Sequence, residues 1–104
     1  MGLRHNGRKL AIQALYQTKV RNQDILDFID QFVDQTSFSE GTVKWGRELA
    51  VNVWEHVIEI DQLVEKYSID WSLDRISLVD LSILRLAFYE LIKTDTPYTI
   101  VLNE

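Results

Sequence analysis

The sequence predicts an all-α fold. Three observations carry that reading: apolar residues recur at helical spacing along almost the whole chain, no run alternates apolar and polar residues for long enough to make a strand, and the only proline is Pro97. At 104 residues with 46% apolar side chains, there is room for a single domain, residues 1–104, around one core. No low-complexity tract, Gly/Ser linker or internal repeat divides it.

The first helix is predicted over about residues 4 to 20, ending near Arg21-Asn22-Gln23. Asp24 is placed to cap a second helix, because its carboxylate accepts the unpaired amides of the next turn; Ile25, Phe28, Ile29 and Phe32 then share one face. Asp27, Asp30 and Asp34 occupy the other face and read as a solvated acidic surface, since hard-cation sites need oxygen ligands converging from a loop. A third, long helix over about residues 39 to 67 lines up Val43, Leu49, Val53, Val57, Ile60 and Val64, with Ser39 as its cap. "SIDWSLDRIS" reads as a tight link with a short helical turn. The last complete helix runs from about Ser77 to Lys93, with Ser77 and Asp80 at capping-box spacing. Its segment "LVDLSILRLAFYELI" is apolar around nearly the whole circumference, which predicts the central helix of a bundle. A turn at Thr94–Pro97 then leads toward another helix, so the expectation is a C-terminally incomplete domain.

Composition excludes several chemistries. Cysteine is absent, which removes disulfides, zinc-thiolate sites and thiol nucleophiles together. There is no Gly-rich phosphate loop and no Gly-x-Ser-x-Gly, and neither His5 nor His56 has a second histidine at ligand spacing. The expectation is a protein that is not an enzyme, with no catalytic residue, no metal and no cofactor. Apolar runs are broken by charge and the start lacks a signal-peptide core, so no membrane segment and a cytoplasmic location are expected.

The formal net charge of -5 conceals a division. Residues 1–21 hold five basic side chains and no acid, a formal +5, while the other six basic and sixteen acidic residues give -10. On a helical projection Arg4, Arg8, Lys19, His5, Tyr16 and Lys9 fall within an arc of roughly 140°, and Leu10, Ala14, Gly7, Ala11 and Leu15 fall in another. Cations neutralise phosphates and an aromatic ring stacks on an unpaired base, which suits single-stranded RNA. A basic face that merely keeps the helix soluble explains the same pattern, and spacing alone leaves the two readings level.

Three blocks in order resemble the NusB family. "GRKLAIQALYQ" is similar to the family's opening helix, "WSLDRISLVDLSILRLAFYEL" (residues 71–91) to its central helix, and "PYTIVLNE" (residues 97–104) to the start of the next helix. The resemblance implies a helical bundle of two small subbundles, here lacking its C-terminal helices. It also implies transcription antitermination: binding of boxA-type single-stranded RNA together with ribosomal protein NusE, with other Nus factors and RNA polymerase engaged indirectly, in support of ribosomal RNA transcription. The implied RNA contacts are Arg4, His5, Arg8, Lys9 and Tyr16, and the implied NusE contact is Asp80. Gly7 interrupts what is a run of arginines in the family and lowers helix propensity by up to about 1 kcal/mol relative to Ala. Two other readings are the NusB-like RNA-binding domain of a ribosomal RNA cytosine methyltransferase, and a structural helical module that forms a homodimer through an exposed apolar face.

Overall fold

The computed structural model describes residues 2–67 and 76–93, and within them every regular element is a helix. In chain order they are α1 (Leu3–Arg21), a single 3-10 turn (Ile25–Asp27), α2 (Ile29–Asp34), α3 (Glu40–Glu55), α4 (Val57–Tyr67) and α5 (Leu78–Lys93). The expected helical turn in the link after Tyr67, and the expected turn and helix start after Lys93, lie outside the described residues.

α1 stops because Asn22 adopts the left-handed conformation, φ 54°, and its N–H donates to the Thr18 carbonyl. Asparagine tolerates that region better than most residues, and Lys19 and Arg21 in the last turn suit the negative end of the helix dipole. Asp24 does act as a cap, its Oδ1 accepting from the Leu26 N–H at 3.0 Å. The capped element is only the 3-10 turn, however. Phe28 at φ -136° leaves the helical region, so α2 begins afresh at Ile29. Of the predicted inward face, Ile25, Phe28 and Ile29 are buried and Phe32 is half-buried, meeting Phe28 edge to face with centroids 6.4 Å apart; Val33, not predicted, is buried as well.

The single long helix expected over residues 39 to 67 is two helices. Ser39 caps α3 as expected, accepting from the Thr42 N–H, but His56 departs from helical geometry at φ -106°, ψ 15°. Its Nδ1 lies 2.8 Å from the Asn52 carbonyl oxygen, and its ring meets Tyr89 of α5 at 5.8 Å. Of the predicted stripe, Leu49, Val53, Ile60 and Val64 are buried on both sides of the break, while Val43 and Val57 are half-buried. Its spacing therefore marks the core correctly while concealing a change of direction. That change has a packing cause: α3 lies mainly against α1, whereas α4 lies against α5. A straight helix would not serve both.

α1 and α3 run parallel and very close, Leu3 beside Gly41 and Gly7 beside Gly46. A Cβ on Gly46 would stand 2.8 Å from the Gly7 carbonyl oxygen, and one on Gly7 would collide with the Trp45 ring. Gly7 thus weakens α1 locally and in return admits the neighbouring helix.

α5 crosses α1 in the antiparallel sense. Ser77 caps it, its Oγ accepting from the Asp80 N–H at 3.1 Å. The buried face of α5 is unusual, for Leu81, Leu86 and Tyr89 share it with Ser82, Arg85 and Glu90, while Val79, Ile83, Leu91 and Ile92 are 39–51% exposed. Each buried polar group must then find partners, because unsatisfied burial costs more than a hydrogen bond returns. Ser82 Oγ donates to the Leu78 carbonyl at 2.8 Å, and Arg85 forks onto both Asp61 oxygens at 2.8 Å.

Candidate nucleic-acid interface

Of the residues expected to contact RNA, the structure brings three to the open surface at the start of α1: Arg4, His5 and Lys9 are exposed. His5, Lys9 and Gln13 follow at steps of four, so their side chains line one ridge of the helix. Tyr16 continues that ridge. It is half-buried, at the mouth of an open groove of about 290 Å³ lined by Ile12, Gln13, Tyr16, Gln17, Phe32 and Val79. The groove is formed where α1, α2 and the first turn of α5 meet. Val79 brings the start of α5 to the groove beside Tyr16, and Asp80, which follows it in the chain, is exposed.

Arg8 must be removed from the exposed set. It is 5% exposed, and its Nε and Nη2 each donate at 2.8 Å to one oxygen of Glu90, which is 3% exposed. The guanidinium carbon also stands 5.5 Å from the centroid of the Trp45 ring. The helical projection failed here because its basic arc overlapped the buried arc. Arg8 shares its face with Ala11 and Leu15, three and seven residues on, and both are fully buried. Arg4 lies close to the same direction, yet it sits one turn nearer the open end of α1 and stays exposed. The charge of Arg8 is met by Glu90 and its surface is covered.

The fork was missed from the sequence, although two signals pointed to it. Arg8 lies in register with small and apolar residues, and Glu90 is an acid within a helix that is otherwise apolar nearly all round. Buried carboxylates are almost always paired, and a planar guanidinium is the partner that satisfies both oxygens at once. The groove was missed for another reason: Phe32 and Val79 come from elements whose placement against α1 no local pattern reveals.

Among the described residues there is no group of three or more His, Asp or Glu side chains able to hold a metal, and no helix long and apolar enough to cross a membrane. His56, with one ring nitrogen on a backbone carbonyl and its face on Tyr89, is a packing residue at a helix junction.

The comparisons with known proteins agree with one another. The model of the NusB family matches residues 5–104. The transcription antitermination protein NusB of Myxococcus xanthus is 38% identical over 100% of this chain and 78% of its own length. The proteins of the same name from Acetivibrio thermocellus and Thermobifida fusca are 34% and 40% identical, over 97% and 90% of this chain and 70% and 65% of theirs. No solved structure matches. The resemblance carried by the three sequence blocks thus extends over nearly all of the 104 residues, and the chain belongs to the NusB family.

Proposed function

We propose that this protein is a transcription antitermination factor that binds boxA-type single-stranded RNA together with ribosomal protein NusE. It works as an adaptor, making and breaking no bond, and through that pair it engages other Nus factors and RNA polymerase in the cytoplasm. The observation that carries the reading is the exposed ridge of α1, where Arg4, His5 and Lys9 lead along one helix face to Tyr16. Arg4 and Lys9 supply two fixed cations for phosphates, and the half-exposed ring of Tyr16 offers a stacking surface for an unpaired base.

The protein partner is assigned to the adjoining groove. Ile12, Phe32 and Val79 give it apolar walls, and the exposed Asp80, next to Val79 in the chain, is the acceptor for a basic side chain of NusE. RNA and protein then meet on either side of Tyr16, so each is expected to strengthen the binding of the other.

Fluorescence anisotropy with labelled boxA RNA, titrated with and without NusE, tests this directly. The expected result is tighter binding to boxA than to a scrambled RNA when NusE is present, with affinity falling as salt rises because counterions are released. Equal affinity for the two RNAs in the presence of NusE would overturn the adaptor reading.

A further inference from the structure

The Arg8–Glu90 fork does more than join two helices. It lies inside the segment that carries the exposed cations: Arg4 and His5 precede Arg8 by about one turn, and Lys9 follows it directly. In an α-helix successive side chains are turned by about 100°, so fixing the direction of Arg8 fixes the directions of Arg4, His5 and Lys9 as well. Over residues 3–9 of α1, Arg8 contributes the one buried side chain: Leu3, Arg4, His5 and Lys9 are exposed, and Gly7, which has no side chain, faces the ring of Trp45. The bidentate contact with Glu90, by contrast, is planar and directional, with both N–O distances at 2.8 Å.

We propose that Glu90 is a positioning residue for RNA binding: by holding Arg8 it sets the rotation of the first turns of α1, and so presents Arg4, His5 and Lys9 in one fixed arrangement before RNA arrives. This rests on the RNA-binding reading above. Its physical basis is preorganisation, since a group already held where the ligand needs it loses less freedom on binding. Glu90 itself touches no RNA in this scheme.

Charge and positioning make opposite predictions, which makes the proposal testable. Glu90→Gln removes an acid and releases the Arg8 cation, so by charge alone it strengthens binding to a polyanion. Positioning predicts that Glu90→Gln weakens binding by roughly two- to thirty-fold, the range seen when a coupling residue outside a site is altered. The experiment is an anisotropy titration of the 104-residue chain and its variants, with NusE present, against a single-stranded boxA RNA over a salt series, at a temperature where circular dichroism shows each variant folded. Hydrogen exchange of the α1 amides, measured without RNA, is the second readout. Faster exchange over the first turns of α1 in Glu90→Gln is expected, and it remains informative if that variant is only partly folded.

Rescue completes the test. Glu90→Leu combined with Arg8→Met replaces the fork by apolar groups of similar length, and it is expected to recover both exchange protection and RNA affinity, showing that the charge of Arg8 is not used. Three results overturn the proposal: unchanged or tighter RNA binding by folded Glu90→Gln, unchanged exchange in α1, or loss of RNA binding in the double variant despite recovered protection. A wild-type chain that binds no RNA at all overturns the functional reading beneath it, whereas a wild type that binds with Glu90→Gln indistinguishable from it overturns the positioning role alone.

Discussion

The carboxylate of Glu90 receives both Nε and Nη2 of Arg8 at 2.8 Å, across 82 positions of sequence, with each side chain almost fully enclosed. A pair so deeply desolvated is held by its geometry, because the attraction between the charges has to offset the loss of water around both. Breaking one side is therefore far worse than removing both. Arg8→Met alone or Glu90→Leu alone is expected to destabilise the chain by about 3–5 kcal/mol, while the double substitution lies much closer to wild type. Urea denaturation of the four proteins measures this, and additive losses would show that the two groups act separately.

The glycine contact between α1 and α3 makes a second prediction. Gly46→Ala puts a methyl group 2.8 Å from the Gly7 carbonyl oxygen, a backbone atom that cannot swing aside. Forcing the helices apart is expected to cost about 1–3 kcal/mol. On a surface helix the same change would stabilise by up to about 1 kcal/mol, so the sign of the shift in thermal midpoint decides.

The exposed cations separate from the buried one by their salt dependence. Arg4→Ala and Lys9→Ala are each expected to reduce the slope of log affinity against log salt by about 0.7, the value for one phosphate contact on a single strand. Folding stability should change by no more than about 0.5 kcal/mol, since both side chains are exposed. A slope that stays the same in both variants would place the RNA elsewhere.

Asp80 separates partner binding from folding. Its side chain is exposed in the first turn of α5, where an acid suits the positive end of the helix. Asp80→Lys is expected to lower affinity for NusE at least tenfold through charge reversal, at a stability cost of about 0.3–1 kcal/mol from the helix dipole. The backbone cap survives, because Ser77 accepts from the N–H of residue 80 whatever its side chain. Co-migration of NusE with the variant and the wild type on analytical size exclusion gives the comparison, and equal retention would exclude Asp80 from the contact.

The partly buried Arg85–Asp61 fork offers a control on the first. Asp61→Asn leaves the Arg85 guanidinium, 3% exposed and close to Trp54, without its carboxylate. Nη1 of Arg85 already has no hydrogen-bond partner, so there is little to compensate. A loss of about 3 kcal/mol or more is expected in the same urea experiment, with RNA affinity unchanged at temperatures where the variant is folded, because α4 and this face of α5 lie away from the basic ridge.

The helical class, the caps at Asp24, Ser39 and Ser77, and the buried stripe of Leu49, Val53, Ile60 and Val64 were all legible in the sequence. Each depends on residues within a few turns of one another, and periodicity and short-range hydrogen bonding report such relations faithfully. The break at His56 was not legible. It answers to the separate packing of α3 on α1 and α4 on α5, which no spacing within the segment encodes.

The same division runs through the candidate site. A cationic ridge on α1 can be read from that helix alone, and so can its suitability for a polyanion, since both follow from charge and helical pitch. Which of those cations faces solvent is a different matter. Arg8 and Lys9 are adjacent in sequence and alike in charge, yet one is sealed against Glu90 and the other is open. Only the antiparallel approach of α5, bringing an acid from 82 positions away, determines that difference, because burial is a property of what packs against a surface and not of the surface alone.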